Sequence, residues 1–170
     1  GFNYVEDVKA EDHDSYLWGN ASFAMAANMT RSFADNGWCV QIRGPESGGI
    51  VEDLSLHVYE VDGKAQQKVP TETTITDRRE FELSELGFIP LSWYKNTNHA
   101  VFFGANSTQK PTVYSMADAT ANSRLCSKLP YIFLVSRLTH YLKAIQRENI
   151  GGYKDRSNLQ QELQNWINRL

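Results

Sequence analysis

The chain has 170 residues, of which 41% are apolar and 22% are charged. It can therefore bury a core, which excludes disordered and collagen-like classes. The net charge of −3 and the lack of a long basic run argue against nucleic-acid binding, because duplex affinity depends on clustered Lys and Arg. The longest apolar run, residues 131–135, is far below the roughly 20 residues of a membrane span, so no membrane insertion is predicted.

The two ends and the two cysteines indicate where such a protein would work. The chain begins at Gly1 rather than Met, which indicates a fragment or a trimmed polypeptide, and its acidic start does not resemble a signal peptide. Cys39 and Cys126 are interpreted as small buried apolar residues rather than a disulfide or a nucleophile. This usage fits a reducing compartment, and we expect a cytoplasmic protein.

The first predicted elements are a loop and a long helix. Residues 1–14 are polar and acidic and predict a surface loop. From Ser15 to about Asn36 a wide apolar stripe recurs with helical spacing, and Gly37 follows as a stop. The many Ala and Ser residues predict that this helix packs closely against another element.

Residues 37–115 predict a strand-rich region. Residues 38–42 are apolar and predict a short strand, and a glycine-rich loop at 44–49 follows. The loop lacks the lysine and the spacing of a P-loop, so a tight turn is favoured over an anion-binding nest. Apolar and polar residues alternate over 54–59, which predicts a half-buried strand, and Asp62-Gly63 predicts a hairpin turn into a polar edge strand, Ala65–Val69.

The second half of the strand-rich region begins with a short helix. Asp77-Arg78-Arg79-Glu80 matches a capping box with Asp77 as the N-cap, and the helix is predicted to run to Leu86, with Gly87 ending it. Two further strands are predicted at 88–94 and 100–105.

Residues 116–170 predict a helical region. A long helical stretch covers about 116–149, and Pro130 inside it predicts a kink or two abutting helices. A capping box at Ser157-Asn158-Leu159-Gln160, with Ser157 as the cap, predicts the start of a last helix. Its apolar face includes Leu170, and its other face carries amides. Together the elements predict one domain over 1–170, of the α/β (α+β) class, with a mixed β-sheet packed by helices.

No catalytic constellation is present in the sequence. The four histidines form no zinc-binding motif, and Glu11-Asp12-His13-Asp14 is interpreted as a solvated loop rather than a metal site. The apolar neighbours of Cys39 would disfavour a thiolate. We therefore predict no catalytic residue, no metal and no cofactor. Two alternatives stay open: a small cytoplasmic enzyme that uses Cys39 or a histidine, and a peptide-binding module that uses the edge strand at Val61–Val69.

An ordered series of segments joined by turns carries a family resemblance. The segments are residues 17–20, 36–39, 42–49, 70–72, 76–80, 86–91, 109–111, 118–122, 129–132 and 139–143. In this order they resemble the large subunit of the bacterial type VI secretion contractile sheath (the TssC or VipB type). The stretches 70–91 and 118–143 are the most specific. The resemblance implies a phage-tail-sheath-like core and places the chain in the C-terminal part of a longer protein.

The resemblance implies a structural function without a cofactor. Family members assemble with a small sheath subunit, as a heterodimer, into a helical tube around an inner tube of hexameric rings. The sheath grows on a baseplate, contracts to drive out the inner tube, and is recycled by an unfoldase ATPase. Neighbouring sheath copies are linked by strand exchange.

Two groups of residues are candidates for the interface. In the family a helix near the C-terminus faces the inner tube, which makes the amide face of the last helix a candidate contact; a solvated face is the alternative. This face comprises Gln161, Gln164, Asn165 and Asn168. Arg78 and Arg79 are expected either to pair with acidic residues of a neighbouring subunit or to pair locally with Glu80 or Glu82.

Overall fold

The structure is a computed structural model that describes residues 1, 3, 5–6, 12–152 and 155–169. In chain order, these residues form α1 (Ala21–Asn36), β1 (Ile50–Val51), β2 (Val58–Val61), β3 (Lys64–Gln67), α2 (Asp77–Glu85), β4 (Ser92–Trp93), β5 (Ala100–Val101), α3 (Ala117–Cys126), α4 (Leu129–Glu148) and α5 (Arg156–Ile167). Helices together with small sheets confirm the predicted α/β (α+β) class, and the strand pairs in the described residues are antiparallel. No helix in this part of the chain is long and apolar enough to cross a bilayer.

The chain divides into two compact units, residues 1–132 and residues 133–170. The core of the first unit lies around a sheet with strand order β1-β5-β4, in which Ile50 pairs with Val101 and Ser92 pairs with the same residue from the other side. The fully buried side chains of this core include Ile42, Val101 and Phe102. The predicted strand at 100–105 is thus confirmed as the centre of the sheet, although its paired part is shorter.

Helix α1 begins later than predicted. Its N-cap is Asn20, whose Oδ1 accepts a hydrogen bond from the Ser22 amide at 2.9 Å, so residues 15–20 lie outside the helix. The predicted end is confirmed: Gly37 has φ 69°, and its amide donates to the Phe33 carbonyl. The loop predicted for 1–14 is exposed at Asp12 and Asp14, whereas residues 7–11, including Glu11, lie outside the described part.

The strand predicted at 38–42 is wrong, because this segment is held by a side chain of α1 instead of a neighbouring strand. The Ser32 hydroxyl donates to the Trp38 carbonyl at 2.8 Å and accepts from the Gln41 amide at 3.2 Å. These bonds satisfy backbone groups that a strand would offer to a sheet. The segment therefore forms turns that lead into the glycine loop.

The glycine loop is a tight turn, as predicted. The Gly44 amide donates to the Phe102 carbonyl at 2.7 Å, and the Gly49 amide donates to the Gly44 carbonyl at 2.9 Å. Gly48 has φ 79°, and a Cβ built there would lie 2.2 Å from the carbonyl oxygen of Gln41. Since the Gly44 and Gly49 amides donate within the protein, neither is available to an anion.

The hairpin after the glycine loop is confirmed, but the strand before it begins late. Asp62 and Gly63, with φ 50° and 72°, connect β2 to β3 through the two-residue turn expected for Asp-Gly. Pairing begins at Val58, and residues 52–57 do not belong to a strand. Leu54 instead donates its amide to the carbonyl of Asn98, which holds this segment near the turn between β4 and β5.

Two predicted helix caps are shifted by one or two residues. Thr76 rather than Asp77 caps α2, and its hydroxyl accepts from the Arg79 amide. Asp155 rather than Ser157 caps α5, and its carboxylate accepts from the Arg156 amide at 2.8 Å. In both cases a cap-forming side chain stands just before the predicted one, and the earlier residue has the extended backbone that a cap needs. Glu80 does not reach back to the cap, because its carboxylate accepts from Ser84.

The predicted break at Pro130 is confirmed as two abutting helices. Helix α3 ends at Cys126 and α4 begins at Leu129, which places Pro130 in the first turn, where its missing amide costs nothing. In the second unit, Tyr141 packs edge-on against Trp166 with ring centroids 6.0 Å apart. Asn149 Nδ2 donates to Glu162 Oε2 at 3.3 Å. Leu170, predicted on the apolar face of α5, lies outside the described residues.

Candidate functional site

His13 and His57 share Tyr16 as a neighbour, whereas His140 and Cys39 lie beside other residues. His13 Nε2 contacts the Glu72 carbonyl oxygen at 2.7 Å, His57 is bonded to Tyr16, and His140 packs near Tyr141. The Cys39 thiol, half-buried, contacts the Met29 carbonyl oxygen at 3.7 Å. No group of three His, Cys, Asp or Glu residues in the described ranges could hold a metal ion.

Helix α1 buries polar side chains and exposes aromatic ones. Asn28 and Ser32 face the interior and are only 4% and 3% exposed, while Phe23 and Phe33 are 77% and 52% exposed. Six exposed residues lie on one side of the helix and form the outer face of α1, which the exposed Arg31 and Asp35 border. This face comprises Phe23, Ala26, Ala27, Thr30, Phe33 and Ala34. Because exposed aromatic side chains on one helix face normally mark a contact, this face is the main candidate interface.

The polar side of α1 is bonded to its own unit. The Arg31 guanidinium donates from Nη2 to Asn28 Oδ1 at 2.9 Å and to the carbonyl oxygens of Gly48 and Ile50 at 3.3 and 3.1 Å. Together with the bonds of Ser32, these contacts fix α1 against the glycine loop and β1. Met25 is also buried on this side, so directional polar bonds and one apolar side chain hold the helix, while Phe23 and Phe33 remain exposed.

A wide groove begins beside the start of α1. Its volume is about 1110 Å³, and its lining includes residues 16–21, 54–57 and 68–73 together with Phe23 and Ala24 of α1. An aromatic cluster (His13, Tyr16, Trp18, His57 and Tyr59) contributes Tyr16, Trp18 and His57 to this lining, and its neighbouring ring centroids are 4.8 to 6.0 Å apart. Lys68 Nζ lies 5.0 Å from the Tyr16 ring centroid. The cluster holds the segment before α1 against the start of β2.

The hydroxyl of Tyr16 ties this cluster together. It is hydrogen-bonded to Nδ1 of His57. Partial burial raises the pKa of Tyr16, and the charges of Glu6 and Tyr59 add to the rise. A phenol with a raised pKa contributes stability that is complete below its ordinary value of 10.0 and is lost as the pH rises through the folded value.

Replacing Tyr16 by phenylalanine should lower the stability of the full-length protein by about 1 kcal/mol, the usual net value of one hydrogen bond. The difference from the wild type should shrink above pH 10.0, where the phenol of the wild type begins to ionise. Thermal unfolding of both proteins across this range measures the difference. A gap that closes toward acidic pH instead would show that Tyr16 is not the titrating group.

The predicted amide face lies on the solvent side of α5. Gln161, Gln164, Asn165 and Asn168 are all exposed, and Gln164 Nε2 donates to Asn168 Oδ1 at 3.2 Å. Gln161 and Asn165 also line a shallow groove of about 490 Å³ between α4 and α5. The structure therefore brings the four amides to one helix face, where each is accessible to a partner.

Arg78 and Arg79 both pair within their own helix. Arg78 Nε lies 3.0 Å from Glu82 Oε1, and Arg79 Nη1 lies 3.2 Å from Glu82 Oε2. Glu82, one of the two predicted local partners, thus holds both arginines. The arginine side chains are 91% and 68% exposed, so these pairs are solvent-screened and contribute little to stability.

Phe23 and Phe33 were not recognised from the sequence as candidate interface residues. The apolar stripe over 15–36 predicts a helix that packs closely against another element, and it does not say whether that element belongs to the same chain. One signal was present: apolar and small residues occupy more of the helix circumference than one packed face requires, so that a second contact surface is indicated.

Comparison with known proteins identifies the family that the chain matches. The family model described as "EvpB/VC_A0108, tail sheath N-terminal domain" matches residues 1–109, and that described as "EvpB/VC_A0108, tail sheath gpW/gp25-like domain" matches residues 118–170. A curated relative, the type VI secretion system sheath protein TssC1 of Pseudomonas aeruginosa, is 48% identical over 167 residues. The alignment covers 98% of this chain and 34% of the relative, so the chain spans about a third of the relative's length.

Proposed function

The chain belongs to the EvpB/VC_A0108 tail sheath family, and from this membership we propose that it is a structural part of the large subunit of a type VI secretion contractile sheath. In this role it assembles with the small sheath subunit and with further sheath copies, and it makes or breaks no covalent bond. The assembly is cytoplasmic, surrounds an inner tube and contracts to propel it.

The outer face of α1 is the observation that carries this proposal beyond family membership. Phe23 and Phe33 lie about 15 Å apart along the helix, with only small side chains between them. A helix or sheet of a neighbouring subunit can therefore approach the backbone closely and pack between the two rings. The outer face bears no charged side chain, which is typical of the core of a permanent interface.

Strand addition to the β2–β3 hairpin is the second contact that we propose. In the described residues these two strands pair with each other and with no third strand, so each has an outer edge whose backbone groups can accept a strand from another sheath copy. Backbone pairing of this kind keeps subunits connected while their packing changes. The same edge is what a peptide-binding module would use, and family membership favours the sheath.

The amide face of α5 is proposed as the contact with the inner tube. Its four exposed amides can exchange hydrogen bonds with water at little cost. Contacts of this kind are weak and tolerate changes in register, which suits a sheath that must release its cargo on contraction. Arg78 and Arg79 are proposed to pair with acidic residues of a neighbouring subunit, since an exposed local pair is easily exchanged. The baseplate and a recycling unfoldase ATPase complete the proposed partners.

Co-expression of the full-length protein with the small sheath subunit tests the proposal. Long hollow tubules should appear under negative-stain electron microscopy. The variant Cys39→Ser should form the same tubules, because the thiol makes only a long contact with the Met29 carbonyl oxygen. Discrete particles without tubules from the wild type would contradict the sheath function, and loss of an enzymatic activity in Cys39→Ser would support the enzyme alternative.

A further inference from the structure

The stretch that connects the two matched family domains is bonded at both ends. The first domain match ends at residue 109 and the second begins at residue 118. A connection between two domains is usually a flexible segment that few contacts cross. Here the chain leaves one domain at residues 105–107 and returns to the same place at residues 127–129, after the loop and α3.

Two backbone hydrogen bonds join the two ends of this segment, residues 105–107 and 127–129. The Ser107 amide donates to the Ser127 carbonyl and the Leu129 amide donates to the Ala105 carbonyl, both at 2.9 Å. Asn106 faces Lys128 between them as an antiparallel pair. The Ser107 hydroxyl adds a bond of 2.7 Å to the Ser127 carbonyl.

Asn106 connects three parts of the fold at this base. Its side chain is buried, with the residue 9% exposed. Nδ2 donates to the Ser84 carbonyl oxygen near the end of α2 at 2.5 Å, and Oδ1 accepts from Lys128 Nζ at 2.5 Å. One side chain thus joins α2 and segment 105–107, which lie in the first matched domain, to the α3–α4 junction, which lies in the second.

The loop itself is bonded to α3. The Thr112 amide donates to the Ser123 hydroxyl at 2.8 Å, and the Tyr114 amide donates to the Thr120 hydroxyl at 2.9 Å. The boundary of the first compact unit agrees with these contacts, because it lies at residue 132 and not in the gap between the two family matches. The first fifteen residues of the second matched domain therefore belong to the same compact unit as the first domain.

We propose that these bonds form a linker clip, so that residues 110–117 do not act as a hinge and residues 118–132 move with the first domain when the sheath contracts. The clip consists of the pairing of 105–107 with 127–129, the Asn106 side-chain bonds, and the bonds of Thr112 and Tyr114 to α3. Only the statement about contraction rests on the proposed function, because all hydrogen bonds of the clip lie within one chain.

A reversible cross-link across the clip tests this proposal. Asn106 and Lys128 occupy a pair flanked by the two backbone bonds, where Cα atoms lie about 4.5 Å apart in antiparallel sheets, within the range of a disulfide. The full-length variant Asn106→Cys/Lys128→Cys, with Cys39→Ser and Cys126→Ser, is assembled with the small subunit and oxidised. Mass spectrometry of unreduced peptides verifies the bridge. Oxidised and reduced tubes should contract to the same length and in the same fraction.

The two single-cysteine variants in the same background are the matched controls, because each loses the side chain of Asn106 or Lys128 without gaining a disulfide. Loss of contraction in the oxidised tubes that reductant restores would overturn the proposal, because it would show that the linker must open. Hydrogen exchange on the wild type gives a second measurement. The amides of Ser107 and Leu129 should exchange equally slowly in extended and contracted sheaths. Exchange that is tenfold faster in one state than in the other would also overturn the proposal.

Failure of the proposed function gives a different result. If the wild type formed no tubes, exchange at Ser107, Thr112, Tyr114 and Leu129 in the isolated full-length subunit would still test the clip. Protection of these amides would support it, and exchange at the rate of an open loop would contradict it.

Discussion

Replacing Gly48 by alanine should prevent sheath assembly and destabilise the protein by about 3 kcal/mol, in the upper range for a single substitution. The residue has φ 79°, and an added Cβ would lie 2.2 Å from the Gln41 carbonyl oxygen, a backbone atom that cannot rotate away. Relief of this clash must displace the segment that Ser32 holds and the loop that bonds to Phe102. Thermal unfolding of the full-length protein with its partner, and tubule counts, measure the effect.

Gly63→Ala is the matched control for this prediction. Gly63 has nearly the same φ, 72°, but no atom lies within 4 Å of its added Cβ. Its replacement should cost only the strain of a left-handed residue, about 1 kcal/mol, and tubules should still form. Equal losses in the two variants would mean that backbone strain alone explains the effect and that the close approach of Gly48 to Gln41 is unimportant.

Replacing Phe23 by aspartate should abolish tubule formation while leaving the fold intact. Phe23 is 77% exposed, so the folded subunit loses little contact within itself. The new carboxylate would stand in the first turn of α1, where negative charge stabilises a helix. Burial of one Phe side chain contributes about 1.5–3 kcal/mol to a contact, and burying an unpaired carboxylate adds to the loss. Every subunit in the tube would carry this defect.

Two variants separate the outer face from general effects of charge. Ala21→Asp adds the same charge in the same turn, about 160° around the helix, and tubules should persist. Phe23→Leu keeps an apolar side chain and should also assemble. Electron microscopy measures tubules, and the melting temperature of the subunit verifies folding. Normal tubules from Phe23→Asp would show that the outer face of α1 is not an interface.

The sequence was most informative where one residue determines the local backbone. Gly37 ended α1, the Asp62-Gly63 pair made the hairpin turn, and Pro130 separated two helices, each as predicted. In these places the residue type decides the backbone locally: proline restricts φ and interrupts a helix, whereas glycine tolerates the positive φ that a helix stop or a tight turn needs. The fold class followed from the same local signals and from hydrophobic spacing.

The sequence was least informative where a distant partner determines the outcome. Residues 38–42 have strand-like composition, yet the Ser32 hydroxyl takes their backbone groups, and no local rule predicts that choice. The orientation of α1 was missed for a related reason: hydrophobic spacing identifies an apolar stripe but does not say whether the stripe meets the same chain or another one. The amide face of α5 and the two arginines of α2 remain predictions, because exposure permits a contact without identifying the partner.

The bonds on the inner side of α1 have a mechanical consequence. Two helices that meet through apolar side chains can slide along each other by small steps, because dispersion contacts have little directional preference. Arg31 instead anchors α1 to the carbonyl oxygens of Gly48 and Ile50, and sliding would lengthen or bend both bonds, which hydrogen-bond geometry disfavours. A force applied along the helix axis to Phe23 and Phe33 would thus be transmitted through these bonds to β1.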